Sequence, residues 1–434
     1  MSSNLSRLIP VLRELEKFAP NQINHTLLLE VIDQIYAEVD NILPPKRSGY
    51  IYQAMLYVML YSQMSTVSPR NATNDLNALW KGHRKTFQRS RKNVFRNNKT
   101  RRAIPDQSAM SRFEKMLGDL GLSEKIANCM LFAQFLYYAH DHPITEDATL
   151  IADYVEEPCP KDKEDPYCFG SKLGKTHHKT LTFSIIWGRM HLIIATYKVK
   201  KGQPIPPLFE DILARLNNHL ILIKYGLFDR GFYRKQLLLI LKNWKITVIM
   251  PARNCTDTRR KIFLWIQDQS GRTGKLYLKI GYIKKVGYQR LMMGVVLAGK
   301  RGHDLQTIKT DFKQGKISLI QASKQVFPLL VIRGNAKGIQ CLKGNENYIR
   351  SLYRERWAIE IAFRSIHLLG ISNWVQQRDT RLLRFSCKCM IYNLWQIERE
   401  KILQNNPIAE PLSLDEFCGS LHENRTIQVL PVKC

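Results

Sequence analysis

The chain has little that would tie it to a lipid bilayer or to an oxidising compartment. No apolar run approaches the roughly 20 residues that a spanning helix needs. The longest, residues 54–61, would make about two helical turns. The opening residues, Met1-Ser2-Ser3-Asn4-Leu5, lack the charged start and apolar stretch of a secretory signal. Nine cysteines, an odd number scattered widely, are not the pattern of a disulfide framework and suit a reducing cytoplasm. Acid is scarce as well: 37 Asp and Glu face 66 Lys and Arg, a formal net charge of +29. That excess goes beyond what solubility requires and points to a polyanionic partner. What is plentiful is apolar residue: at 44% hydrophobic and 434 residues, the chain is expected to fold into two or three domains with real cores.

Cys159, Cys168, His177 and His178 invite a zinc assignment, but their spacing matches no common zinc pattern. Cys387 and Cys389 read as core or bystander thiols on a helix. Residues 1–145 read as mostly helical and basic, a DNA-binding region. Residues 8–18, 25–39 and 49–64 carry apolar residues at helical spacing. Residues 81–102 hold ten Lys or Arg and no acid, an arm suited to tracking phosphates. Residues 104–113 resemble the opening of a recognition helix.

From Ala148 the pattern changes. Residues 148–154 read as a buried strand holding Asp153, and residues 179–187 and 190–199 as two strands joined at Gly188-Arg189. A helix (206–220), a strand ending before Asp229 (220–228), a helix (231–243) and a strand (246–250) follow. Three strands, helix, strand, helix, strand is the order of a ribonuclease H-like α/β fold. Its first part is expected over residues 146–252. Residues 262–266, 275–284, 289–298 and 326–333 look like strands of a mainly β insertion over residues 253–344. The core helix returns over residues 345–372, and residues 373–434 form a C-terminal helical region. There Arg378, Arg381, Arg384 and Lys388 recur opposite Leu382, Leu383 and Phe385, as in an amphipathic basic helix.

The core helix carries the densest chemistry. No Gly or Pro interrupts residues 346–369, and Tyr353, Arg356, Glu360, Arg364 and His367 are spaced to share one helical face. One carboxylate among cations and an aromatic is what an enzyme cutting a phosphodiester presents. The bland alternative is a solvated face with a Glu360–Arg364 pair. In the expected fold the first acid lies on the first strand, the second on the fourth and the third on a late helix, places filled by Asp153, Asp229 and Glu360. Asp147 and Glu156 are alternatives for the first, and helix capping competes for Asp229. Carboxylates gathered from distant points suit paired Mg²⁺, with Mn²⁺ as substitute, better than zinc.

The run Leu227-Phe228-Asp229-Arg230-Gly231-Phe232-Tyr233, with Tyr353, Arg356 and Glu360, resembles the DDE transposases of bacterial insertion sequences. The closest resemblance is to the branch with a Tyr-Arg-Glu-Lys signature and a β insertion. It covers roughly residues 145–390. The resemblance implies that Asp153, Asp229 and Glu360 bind two metal ions and that Tyr353 and Arg356 contact a DNA end. It also implies that an aromatic such as Trp265 could stack on a base, although alternation with Phe263 in a strand favours a core role. The signature lysine is replaced by His367, leaving Arg364 to take over the phosphate contact. The function implied is cut-and-paste transposition of a cytoplasmic, bacterial element. The enzyme would bind terminal inverted repeats and target DNA, no membrane, and act as a dimer on DNA. Two rival expectations are an inactive, transposase-derived DNA-binding protein and a ribonuclease H-like nuclease without strand transfer.

Overall fold

The structure is a computed structural model. It describes residues 52–65, 107–141, 148–159, 164–170, 175–252, 256–267, 275–284, 287–300, 303–333, 345–369, 378–407 and 411–419, with isolated positions between 31 and 44, between 68 and 76, and at 105 and 161. The expected helix at residues 8–18, the basic arm at 81–102 and Asp147 lie outside the described residues. The helices before the sheet include α1 (Tyr52–Met64), α2 (Gln107–Asp119) and α3 (Ser123–Asp141). The sheet elements begin with β1 (Ala148–Pro158), β2 (Cys168–Gly170), β3 (Thr176–Trp187), β4 (Met190–Val199), α4 (Pro206–Asn218), β5 (Ile223–Phe228), α5 (Lys235–Asn243) and β6 (Thr247–Pro251). They continue through α6 (Thr256–Gln267), β7 (Lys275–Lys284), β8 (Gly287–Gly299), α7 (Leu305–Lys313), α8 (Leu319–Gln325) and β9 (Val326–Arg333). Among the described residues, α9 (Glu346–Arg354), α10 (Trp357–Leu368), α11 (Arg378–Asn405) and α12 (Leu414–Gly419) follow.

The nine strands of the described residues belong to one mixed sheet, ordered β2-β3-β1-β5-β6-β9-β8-β7, with β4 paired to β3. β1 and β3 are antiparallel, as are β3 and β4, whose two-residue turn has Gly188 at φ 61°. β5 and β6 run parallel to β1, each reached through a helix, as parallel neighbours require. The strands expected in the insertion extend this sheet through the antiparallel β6–β9 pair. One expected strand there is a helix: residues 262–266 belong to α6. Ile262, Trp265 and Ile266 are buried while Leu264 is exposed. That is a 3-then-1 spacing, and it overrides the Phe263/Trp265 alternation that suggested a strand.

Alternation divides each strand between two apolar layers. Ala148, Leu150 and Ala152 of β1 face the layer containing α4 and α5, while Ile151 and Val155 face the layer containing α10 and α11. On β5, Leu227 lies in the α10 layer and Phe228 in the other. The outer edge of β4 is covered by side chains rather than by another strand. Asn393 accepts from the Ile193 amide at 2.8 Å and donates to its carbonyl at 2.8 Å. Asn128 and Glu124 of α3 accept from the amides of Thr196 and Lys198, both at 2.6 Å. These contacts satisfy edge groups that would otherwise invite strand pairing.

Candidate active site

The parallel register places two acids side by side. Ile151 pairs with Leu227 and Ala152 with Phe228, so Asp153, midway along β1, and Asp229, just past the end of β5, follow at the same level. Both share the parity of Ile151 and Leu227, which directs them to the α10 side. Gly226 lets this end of β5 close tightly: a Cβ there would meet the Phe228 ring at 2.6 Å. Phe228 in turn packs edge-on against Phe209, with centroids 5.4 Å apart. Asp229 begins the 3-10 turn Arg230–Phe232 in extended backbone but makes no side-chain capping bond, and it is exposed. Capping, the ordinary reason for an Asp at that position, therefore does not occupy its carboxylate.

The third acid arrives on α10, and here the expected uninterrupted helix is corrected. α9 ends at Arg354 and α10 begins at Trp357, with Glu355 and Arg356 forming a tightened turn between them. Its amides bond three residues back: Arg356 to the Tyr353 carbonyl at 3.1 Å and Ala358 to the Glu355 carbonyl at 2.9 Å. The common face of the signature residues consequently runs from buried to open. Tyr353 and Arg356 are each 7% exposed, Glu360 is half-buried, and Arg364 and His367 are exposed.

Arg356 is the hub. Its Nη1 donates to Asp153 Oδ2 at 3.0 Å and its Nη2 to Glu360 Oε1 at 2.5 Å. Glu360 is thus paired with Arg356, and the alternative expected from the sequence, Arg364, is not its partner in an ion pair. The Arg356 guanidinium carbon lies 5.7 Å from the centroid of the Tyr353 ring. Burial raises the Asp153 carboxyl above the ordinary carboxylate range; Asp229 and Glu360 add to the rise, and the Tyr154 amide and Arg356 oppose it. Burial also pushes the Tyr353 hydroxyl up to about 12, with Asp229 and Asp153 contributing, so it stays protonated at neutral pH. Three carboxylates from β1, β5 and α10 thus share one electrostatic neighbourhood, with one guanidinium bridging two of them.

Other sequence candidates lie elsewhere. Glu156 pairs with Lys179 at 2.9 Å instead of joining the acids. Desolvation, reinforced by Lys388, lowers the His367 pKa, so its ring is neutral at pH 7. Trp265 is buried in α6 with the Lys309 ammonium 4.8 Å from its ring centroid, a core setting. The basic face expected on α11 is turned inward: Arg381 donates to the Pro158 carbonyl at 3.0 Å, and Arg384 grips both oxygens of Glu114 at 2.9 Å each. Cys387 and Cys389 are buried beside them. The fold brings the Cys159 and Cys168 sulfurs to 3.5 Å, and His178 bonds Asp165 at 3.0 Å. Spacing along the chain could not anticipate the thiol contact, because β3 lies between the two cysteine-bearing segments.

Among the described residues, no three of His, Cys, Asp and Glu converge on a single cation position. The donor chemistry at the acids nevertheless suits a hard divalent cation: oxygen ligands only, two of them now held by the Arg356 guanidinium. No described helix is long and apolar enough to cross a membrane. No known protein family matches the chain, nor does any curated protein. One solved structure similar to it is the piggyBac transposase synaptic complex with hairpin DNA. The likeness has 12% identity, covers 93% of this chain and 78% of that one, and gives a TM-score of 0.46. A likeness of that degree carries no functional weight, and the side chains must speak for themselves.

Proposed function

We propose that this chain is a DDE transposase of an insertion sequence, which binds the element's terminal inverted repeats, cleaves its ends and joins them to target DNA. The observation that carries the reading is the electrostatic neighbourhood shared by Asp153, Asp229 and Glu360, the first and last bridged by Arg356, with Asp229 released from capping. The sheet order supports it: β4-β3-β1-β5-β6, antiparallel then parallel, is the arrangement of a ribonuclease H-like core. So does the net charge of +29, which favours a polyphosphate substrate.

On this reading Asp153, Asp229 and Glu360 hold Mg²⁺, two ions per site with Mn²⁺ as substitute. Bound metal supplies Lewis acidity to the attacking and leaving oxygens of an in-line displacement. The chain's own groups position the phosphodiester. Arg356 bridges Asp153 and Glu360 and sets their spacing, Tyr353 offers a protonated hydroxyl, and Arg364 reaches a phosphate from the open end of the face. His367, neutral at pH 7, contributes a hydrogen bond rather than a charge. Joining two ends requires at least two copies of the chain on DNA.

The test is incubation of the full chain with Mg²⁺ and DNA carrying the element's ends, followed by analysis for cleaved and joined products. Joined products are expected from wild type, and none from Asp229→Ala. Cleavage without joining would favour a ribonuclease H-like nuclease instead. An Asp229→Ala protein that cuts as well as wild type would sink the assignment of the acids.

A further inference from the structure

A second site lies on the other face of β1. Tyr154 follows Asp153 and, by alternation, points away from Glu360 into a pocket of about 240 Å³. Phe169, Lys179, Lys200, Gly231 and Arg234 complete its main walls, and no carboxylate lines it among the described residues. Glu156 offsets Lys179 at 2.9 Å, which leaves Arg234 and Lys200, the latter 5.4 Å from the Tyr167 ring centroid, as the pocket's cations without a carboxylate partner among the described residues. The turn carrying Lys200 is preset. The Lys200 amide donates to Gln203 Oε1 at 2.8 Å, the Gln203 amide returns to the Lys200 carbonyl at 3.1 Å, and the Lys201 amide ties the turn to the Pro166 carbonyl at 2.8 Å. Arg234 sits at the N-cap of α5, where no side chain caps the helix and the helix dipole favours an anion.

The pocket's chemistry selects a phosphate over a base. Both rings are already covered. Tyr154 stacks on Phe232 with centroids 5.0 Å apart and planes 7° apart, and the Lys179 ammonium lies 5.8 Å from the Tyr154 ring centroid. Phe169 stacks on His177 with centroids 6.1 Å apart, and Lys179 is 5.3 Å from its centroid. No bare aromatic face remains for a nucleobase. The volume also falls below the roughly 300–1,000 Å³ of sites that enclose a drug-sized molecule.

We propose that this pocket binds a DNA backbone phosphate that flanks the reacting one on the same strand. The inference rests on the transposase reading. Both walls of the pocket begin where the acids end: Tyr154 directly after Asp153, and Gly231 and Arg234 shortly after Asp229. A strand laid past the carboxyl end of β5, over the edge of β1 that β5 leaves unpaired beyond Ala152, passes from one site to the other, near where ligands of open α/β sheets bind. A phosphate held there fixes the register of the strand without reading its sequence.

The experiment measures binding of a fluorescent duplex of the element's end to the full chain across a series of salt concentrations. Lys200→Gln combined with Arg234→Gln is expected to weaken binding about fivefold at 0.15 M salt and to reduce the salt slope by about 1, as loss of one phosphate contact dictates. Both residues are exposed, so the melting temperature should not change. The matched control, Lys313→Gln with Lys324→Gln, removes two exposed charges from α7 and α8. An unchanged slope in the pocket variant overturns the proposal, as does an equal loss in the control. Calorimetric binding of inorganic phosphate with no change in the DNA slope would mark a site for a free phosphate, which also overturns it. If wild type binds no DNA, the transposase reading falls first and this inference falls with it.

Discussion

Two sets of ion pairs occupy the α10–α11 side of the sheet, and they are balanced differently. At the base, Arg384 grips Glu114 through two bonds of 2.9 Å, and Lys198 meets Asp379 at 2.5 Å. Each acid there has at least one cation of its own, Asp379 meeting Arg378 at 3.5 Å as well, and the side chains of Arg384, Glu114, Lys198 and Asp379 are at most 15% exposed. At the level where β5 ends, Arg356 serves both Asp153 and Glu360, while Asp229 lies nearby in the open. Three carboxylates against one guanidinium leave a formal excess of two negative charges, in a chain whose total is +29. Balanced pairs hold elements together. An unbalanced set is costly in isolation and becomes favourable only when a further cation arrives.

The contrast can be broken most decisively at the unbalanced end. Glu360→Gln is expected to abolish detectable DNA cleavage while leaving duplex affinity and the melting temperature near wild type, because the residue is only half-buried. A Glu360→Gln protein that still cleaves would make the excess charge incidental. The balanced end should respond in stability instead. Arg384→Ala leaves Glu114 buried without its cation and should cost about 3–5 kcal/mol in urea unfolding; a loss below about 1 kcal/mol would mean the pair is not structural.

Acid provides the next comparison. His191 is fully enclosed between β4 and α11, bonded to Ser184 at 2.7 Å, and burial lowers its pKa to about 3. The unfolded chain binds that proton first, near pH 6.5. Its contribution is therefore complete above about pH 6.5 and is lost as pH falls toward 3, by an amount on the order of a few kcal/mol. Urea midpoints of wild type and His191→Gln should converge as the solution is acidified; parallel curves would remove His191 from the account. The smallest effect belongs to the rim. His367→Lys restores a full charge and is expected to tighten duplex binding about fivefold at 0.15 M salt. Unchanged affinity in anisotropy would mean that this end of the face does not meet DNA.

Much of the sheet was legible because its strands are bounded by strong local signals. The strands expected at residues 190–199, 275–284 and 326–333 coincide with β4, β7 and β9. The placement of Asp153 and Asp229 followed from strand order, and parity then gave their side. What escaped the sequence was settled by distant contacts. Residues 262–266 fit both periods over so short a span, and only burial of Ile262, Trp265 and Ile266 decides for helix. The turn at Glu355-Arg356 contains no Gly or Pro; its Arg356 reaches Asp153, 203 residues away. The α11 cations looked like the polar face of an amphipathic basic helix because the sequence shows charge but not the Glu114 and Pro158 acceptors that turn them inward.

The covered edge of β4 has a consequence for how the chain can be divided. Asn128 and Glu124 of α3 and Asn393 of α11 hold the β4 backbone where a tenth strand would otherwise sit. A fragment starting at residue 146 would keep every strand of the sheet and all three acids. It would keep Asn393 on Ile193 but leave the Thr196 and Lys198 amides bare, an adhesive stretch of margin prone to recruit its neighbours into insoluble assemblies. The helices before the sheet are therefore custodians of its solubility, whatever else they touch.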